Sequence, residues 1–333
     1  MTTTSVHDAA VDQVWAMTTA HLHARALHVV ADLGVADLIG DDPVPVSELA
    51  AACGVAHHSL GRVLRLLADL GVFRHGPAGV EHTAMSRLLR TDHAGSLRAF
   101  AQLMALDVVW HGVASLETAV RHGTTGIAEI APNGLFDYLA EHPAQAQLFD
   151  NAMQAKARAD VDAVIRAYDF SPFGTVADIG GGTGQLLNAI LTRHRTVRGI
   201  LFDLPHVIAQ AGVDDAHLTT CAGDFFTDPL PAADLYLLME VLHDWPDRGT
   251  TAILRGVRAA CRTGAVVLVI ESLPSDEHPD PRARTLDLLM LAVSGGQERS
   301  PSELDRLLTA TGFRRTAVLD IAGPLRIAEA VAV

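Results

Sequence analysis

The chain has 333 residues, 49% of them hydrophobic and 19% charged. That is long enough for one large or two moderate domains with buried cores, and it excludes wholesale disorder. Lys and Arg number 25 against 39 Asp and Glu, a formal net charge of −14, and so acidic a chain does not attract a nucleic-acid backbone.

Residues 8–40 read as helices. Val11, Val14, Trp15, Thr18, Leu22 and Ala26 recur near one face at 3.6-residue spacing, and the apolar run from Ala26 stops at Gly34. Helices of this kind pack either on their own domain or on a partner chain. Over 47–90 a capped short helix from Ser47 meets a turn at Gly54. Leu60, Val63, Leu64, Leu67 and Leu70 then give a second helix an apolar stripe. Gly71-Val-Phe-Arg and Gly79-Val-Glu-His-Thr read as two short strands around Gly76-Pro77. Helix-turn-helix plus wing is the winged-helix plan. Arg62, Arg65 and Arg74 are few for a DNA surface and Asp69 and Glu81 offset them, so a structural or dimerising role is favoured.

Residues 96–166 read as further helices, broken at 123–126 and at Pro132-Asn-Gly, with a long one from Pro143 through Arg166. After Gly174 the texture changes. Short apolar runs at 175–179, 199–202, 234–242 and 265–270 alternate with helical patterns, which argues a parallel sheet with crossover helices. The domain boundary is expected near 165–174.

The segment Val176-Ala-Asp178-Ile-Gly180-Gly-Gly182-Thr-Gly184 reads as a strand, a glycine turn and a helix start. Such a loop lets backbone approach a ligand in front of free helix N–H groups. The dinucleotide pattern GxGxxG fails, because Gln185 or Leu187 stands where the third glycine belongs. A Walker loop needs GK[S/T], and Lys156 is the only lysine. What remains is D/ExGxGxG, with a carboxylate suited to the amino-acid end and sulfonium of S-adenosylmethionine (SAM). Asp203, ending the second strand of this region, is either a strand-end turn residue or, favoured with the loop in place, an acceptor for both ribose hydroxyls. In Ala222-Gly-Asp224-Phe225, Asp224 can accept from an adenine amino group and Phe225 can pack on the base; alone, Gly-Asp is a turn.

The run 235–242 leads into His243-Asp244-Trp-Pro-Asp247. Ligand chemistry in open α/β sheets sits at the C-terminal strand ends, and the near-neutral reference pKa of histidine suits a general base. Glu271, ending the next strand, and Glu298, in Ser294-Gly-Gly-Gln-Glu-Arg, are either partners that orient His243 or exposed loop carboxylates. Lys156 is either a cation facing an acceptor, favouring an anionic one, or a helix-surface partner of Asp160.

Together these segments resemble the plant-type and bacterial natural-product O-methyltransferases, the group of the caffeic acid and hydroxyindole enzymes and of antibiotic tailoring enzymes. The most specific pieces are Asp178-Ile-Gly-Gly-Gly-Thr-Gly, Leu242-His-Asp-Trp-Pro-Asp and Gly295-Gly-Gln-Glu-Arg-Ser, in the family's order, and the likeness covers nearly the whole chain. The resemblance implies an α/β fold: a winged-helix-like dimerisation domain over 1–95, a helical connection lining the acceptor pocket over 96–166, and a Rossmann-like SAM domain over 167–333. It implies methyl transfer from SAM, without a metal, to a phenolic or enolic hydroxyl of a small-molecule secondary metabolite. His243 would be the base, with Glu271 and Glu298 flanking it. Leu204 and Met239 would join the cofactor site, Met239 standing where plant members usually carry a basic residue. Trp110, Phe149, Met153, Lys156, Asp244 and Met290 would line the acceptor pocket. A homodimer is expected.

Two rival readings are a SAM-binding relative with non-methylating chemistry and a SAM-sensing DNA-binding regulator. Retention of His243, Glu271 and Glu298 argues against the first, and the acidic charge against the second. Cys53, Cys221 and Cys261 show no CxxC or zinc spacing, and the scattered histidines read as solvated surface, so a reducing compartment and no metal are expected. The chain start lacks the basic and apolar regions of a signal peptide, and no stretch of about 20 uninterrupted apolar residues offers a membrane span. A cytoplasmic protein is expected.

Overall fold

The glycines and prolines that punctuate the sequence also punctuate the structure. A computed structural model describes residues 3–212, 215–274 and 280–333. The chain forms two compact units, Met1–Leu106 and Asp107–Val333.

In the first unit, α1 (Thr3–Asp32) is one unbroken helix, where the sequence suggested more than one. Short helices α2 (Val46–Cys53) and α3 (His57–Asp69) lead to the hairpin β1 (Phe73–Gly76) and β2 (Gly79–His82), followed by α4 (Ala84–Arg87) and α5 (Arg98–Ala105). Leu49, Leu60, Leu64, Leu67, Phe73 and Val80 share one core with the C-terminal half of α1. The N-terminal half of α1 finds no such cover: Val14, Trp15 and Met17 are 64%, 72% and 73% exposed.

The second unit opens with helices α6 (Asp107–Ala114), α7 (Leu116–His122), α8 (Leu135–Glu141) and α9 (Pro143–Ala167). Proline at the first position of α9 costs no hydrogen bond, because that N–H has no partner in any helix. Then come β3 (Thr175–Ile179), α10 (Gln185–Arg193), β4 (Arg198–Asp203), α11 (Pro205–Ile208), β5 (Leu218–Ala222), β6 (Leu235–Met239) and α12 (Asp247–Ala260). The chain closes with β7 (Val266–Glu271), α13 (Pro281–Val293), α14 (Pro301–Ala310), β8 (Phe313–Asp320) and β9 (Arg326–Ala332).

The seven-stranded sheet has the order β5-β4-β3-β6-β7-β9-β8. The first five are parallel; β9 runs antiparallel to β7, and β8 to β9. Both faces are covered, so the inner strands read as continuous apolar runs. Leu235, Tyr236, Leu237 and Leu238 are fully buried, as are Val267, Leu268, Val269 and Ile270. Each such side chain contributes roughly 1.5–3 kcal/mol by leaving water. Strand order reverses between β3 and β6, the switch point at which open α/β sheets form a crevice at their carboxyl ends. Among the described residues no helix is long and apolar enough to cross a membrane.

Candidate active site

At the end of β3 the chain turns on glycine. Gly180, Gly182 and Gly184 have φ of +68°, +60° and +83°, a left-handed backbone that side chains resist. At Gly181 a Cβ would lie 2.5 Å from Asp178 Cγ, so the loop closes directly over that carboxyl. Asp178 is 1% exposed and neither of its carboxylate oxygens has a partner. Burial, then the neighbouring Asp203, pushes its carboxyl up to about 7. Asp203 accepts from the backbone N–H groups of Gly182 and Leu204, both at 2.7 Å, and so ties the end of β4 to the loop. Burial still raises it to about 6 against those two bonds. A buried, unpartnered carboxylate is costly unless a cation meets it. An amine-bearing, phosphate-free ligand such as SAM therefore fits this loop.

Other cofactor candidates sit on neighbouring strand ends. Leu204 follows β4 directly and Met239 ends β6. Asp224 accepts from Phe226 N–H at 2.8 Å, closing its own turn. Phe225 approaches Gly180, 3.7 Å from where a Cβ would stand. Beside the loop lies a polar cleft that sequence reading missed, lined by Gln147, Asp150, Asn151, Gln154, Thr183 and Gln210.

Strand β6 is shorter than the sequence suggested. It ends at Met239, not 242, because Glu240 takes φ +53°, the only positive φ outside glycine among the described residues. A single 3-10 turn, Leu242–Asp244, follows and carries His243. The histidine is 6% exposed. Its backbone N–H donates to Glu271 Oε1 at 3.0 Å, and its ring Nδ1 lies 2.9 Å from Glu298 Oε1. Asp244 Oδ1 is 3.9 Å from the other ring nitrogen. Glu271 and Glu298 are 0% and 7% exposed, which overturns the option that they are exposed loop carboxylates. The two play different parts, since Glu271 holds the backbone and Glu298 the ring.

The turn is locked from outside. Gln297 N–H donates to His243 O at 2.9 Å. A Cβ at Gly296 would lie 2.7 Å from Trp245 N, so only glycine lets this loop lie backbone to backbone on the turn. Arg299, fully buried, donates to Leu242 O, Trp245 O and Asp247 at 2.9, 2.7 and 3.0 Å. Its role was not legible as such, although the motif contained it.

Electrostatics depart from the near-neutral expectation. Burial alone pushes the His243 ring down, but Asp244, the hydrogen bond to Glu298 and the charge of Glu271 overcome it and raise it to about 10. Burial pushes Glu271 to about 7 and Asp244 to about 6, with His243 opposing both.

Of the acceptor-pocket candidates, Phe149 on α9 meets Phe136 edge to face, and Phe136 stacks on Trp245 beside the His243 turn. Met153 lies one turn further along α9. Trp110 on α6 and Met290 on α13 are half-buried, on helices packed together. Lys156 contradicts the helix-surface pairing with Asp160. Its side chain is 9% exposed and bonds Glu240, whose side chain is 14% exposed. Asp160 is itself only 5% exposed, so burial does not choose between the two carboxylates; the sheet brings Glu240 to the ammonium, and a buried charge needs the counter-charge within reach.

Family models match twice, an O-methyltransferase dimerisation domain over residues 15–92 and an O-methyltransferase domain over 113–314. A phenazine O-methyltransferase of Lysobacter antibioticus is 40% identical over 323 residues, 94% of each chain. A mitomycin biosynthesis 6-O-methyltransferase of Streptomyces lavendulae is 36% identical, covering 92% of this chain and 90% of that one. The crystal structure of human N-acetylserotonin methyltransferase in complex with SAM superposes with a TM-score of 0.90 at 27% identity, covering 97% of both chains. The chain belongs to the SAM-dependent O-methyltransferases, with the family's dimerisation domain ahead of its methyltransferase domain.

Proposed function

We propose that this enzyme methylates a phenolic or enolic hydroxyl of a small aromatic or polyketide-like secondary metabolite, with His243 as the group that takes the hydroxyl proton. The observation that carries this reading is the clamp on His243, whose ring Nδ1 is held by Glu298 and backbone N–H by Glu271 at the crevice end of β6. With Nδ1 committed, the other ring nitrogen is the one that meets the acceptor oxygen. Bound SAM supplies a methyl group activated by its sulfonium, with the neutral thioether of S-adenosylhomocysteine as the leaving group. Asp178 faces the cationic end of that cofactor, while Asp203 holds Gly182 and Leu204 in place and accepts from the ribose. Asp224 and Phe225 serve the base, and Leu204 and Met239 border it. Trp110, Phe149, Met153, Asp244 and Met290 border the acceptor.

The raised His243 pKa matters for this role. A phenol has a reference pKa near 10, and His243 is raised to about 10. The upward shift brings the ring toward the phenol range, so passing the acceptor proton to His243 costs less than passing it to an unperturbed histidine. Orientation of the reacting groups supplies the larger part, several kcal/mol in well-aligned cases and up to about 7–11. The exposed apolar side chains of α1 and the dimerisation-domain match support a homodimer.

Incubation with SAM and a panel of hydroxylated phenazines, naphthols and quinols, read by S-adenosylhomocysteine release and a gain of one methyl in mass, tests the reading. Methylation at oxygen that is lost in His243→Ala is expected. Transfer to nitrogen or carbon, or full activity in the variant, would overturn it.

A further inference from the structure

The ion pair between Lys156 and Glu240 is not needed to hold His243, yet the fold pays for it twice. It buries two charges, and its Glu240 takes a left-handed backbone that no other described non-glycine residue adopts. Strain of this kind persists where the surroundings impose it, and it clusters at functional sites. Glu240 stands three residues before His243 and one after β6. Although burial pushes its carboxyl up, Lys156 and then His243 hold it below the usual range, so Glu240 is ionised and within electrostatic reach of the histidine. Across the turn, Asp244 feels His243, Lys156 and Glu240 together.

We infer that the Lys156–Glu240 pair is a specificity element of the acceptor site, which withholds its cation from the acceptor and so selects neutral or cationic hydroxyarenes over carboxylate-bearing ones. This rests on the function proposed above. The inference turns on where the cations are committed. Lys156 is held by Glu240. Arg299 is spent on Leu242 O, Trp245 O and Asp247. Arg282, whose charge reaches Glu240 and Asp160, is exposed. Among the described residues the other ionisable groups around the turn are His243, protonated at neutral pH but already faced by Asp244, Glu271 and Glu298, with Asp160 on the Lys156 side. An acceptor carboxylate entering here would be desolvated where the described carboxylates outnumber the cations and already share the charge of His243, which disfavours it. The earlier expectation that Lys156 favours an anionic acceptor is reversed, because its charge is already met.

The test uses the full-length protein loaded with S-adenosylhomocysteine and two matched probes, 6-hydroxy-2-naphthoate and its methyl ester. Calorimetry gives Kd for each, and turnover with SAM is measured separately. The wild type should bind the ester at least about tenfold tighter than the carboxylate. Glu240→Gln frees Lys156 and should shift that ratio toward the carboxylate by about tenfold or more. Lys156→Met leaves Glu240 unmet and should shift it the other way. A merely structural pair would weaken both probes in both variants without opposite shifts. Equal wild-type affinities, or ratios that move together, would overturn the inference. Transfer to an atom other than oxygen would overturn the proposed function, whereas the ratio of affinities reports on the pair alone.

Discussion

Glu298 Oε1 lies 2.9 Å from His243 Nδ1, with the two side chains only 1% and 8% exposed. The carboxylate favours the protonated ring, and a counter-charge this close typically moves a pKa by about 1–3 units. His243 has to be neutral to accept a proton. Wild-type kcat/KM should therefore climb with pH above neutrality, toward the value near 10 to which His243 is raised. In Glu298→Gln the ring loses its proton at lower pH, so the climb should begin at least about one unit earlier. A pH–rate profile unchanged by the substitution would separate Glu298 from the titration of His243.

His243→Ala should leave the fold and SAM affinity intact and lower kcat by ~10²–10⁴, the usual worth of a positioned general base. Calorimetry with SAM and steady-state rates on a neutral phenol check the two halves separately. A variant within threefold of the wild-type rate would remove proton transfer from the mechanism.

Asp178 predicts proton linkage in cofactor binding. Its pKa in the folded protein is raised to about 7, so below that pH the carboxyl is largely protonated. A cationic ligand favours the ionised form, so SAM binding should release a proton at pH 6 and tighten as pH rises through about 7. Calorimetry in buffers of different ionisation enthalpy counts the proton. In Asp178→Asn the affinity should be weaker and the release from this site absent.

Asp203→Ala should weaken SAM binding by well over tenfold. The variant loses an ionised acceptor worth ~1.5–3 kcal/mol for a hydrogen-bonding partner and leaves the N–H groups of Gly182 and Leu204 without theirs. Unchanged affinity by calorimetry would take Asp203 out of the cofactor site.

The N-terminal half of α1 should lie in the dimer interface. Val14, Trp15 and Met17 are exposed apolar side chains on a stretch of α1 that no part of the first unit covers. Light scattering should give twice the chain mass for the wild type. Val14→Glu with Trp15→Glu should lower it toward the monomer, because charges placed in a buried interface are costly.

Glycine spacing made the cofactor loop legible from sequence. Positive φ at Gly180, Gly182 and Gly184 is a local backbone requirement, and residue identity alone reports it. The run 175–179 and the start of α9 at Pro143 were legible for the same reason, since apolar period and proline chemistry act over a few residues. Strand ends brought His243 and Glu271 forward and the following loop brought Glu298, with an exposed-carboxylate alternative open for both acids; only their roles came from the resemblance. Strands β5, β8 and β9 left no pattern that reading could hold, and the antiparallel turn of the sheet edge went unseen.

The tertiary structure decided where the charges go. Lys156 meets Glu240, 84 positions away, in preference to Asp160 on its own helix. Glu271 takes the backbone N–H of His243 and leaves the ring to Glu298. The strand before His243 stops three residues early at the strained Glu240. Burial and distance set the pairing and protonation of a charged group, and both exist only once the sheet has brought the ends of β3, β6 and β7 together. Sequence therefore determined which chemical groups this protein carries, and packing decided which of them hold a proton, a partner or neither.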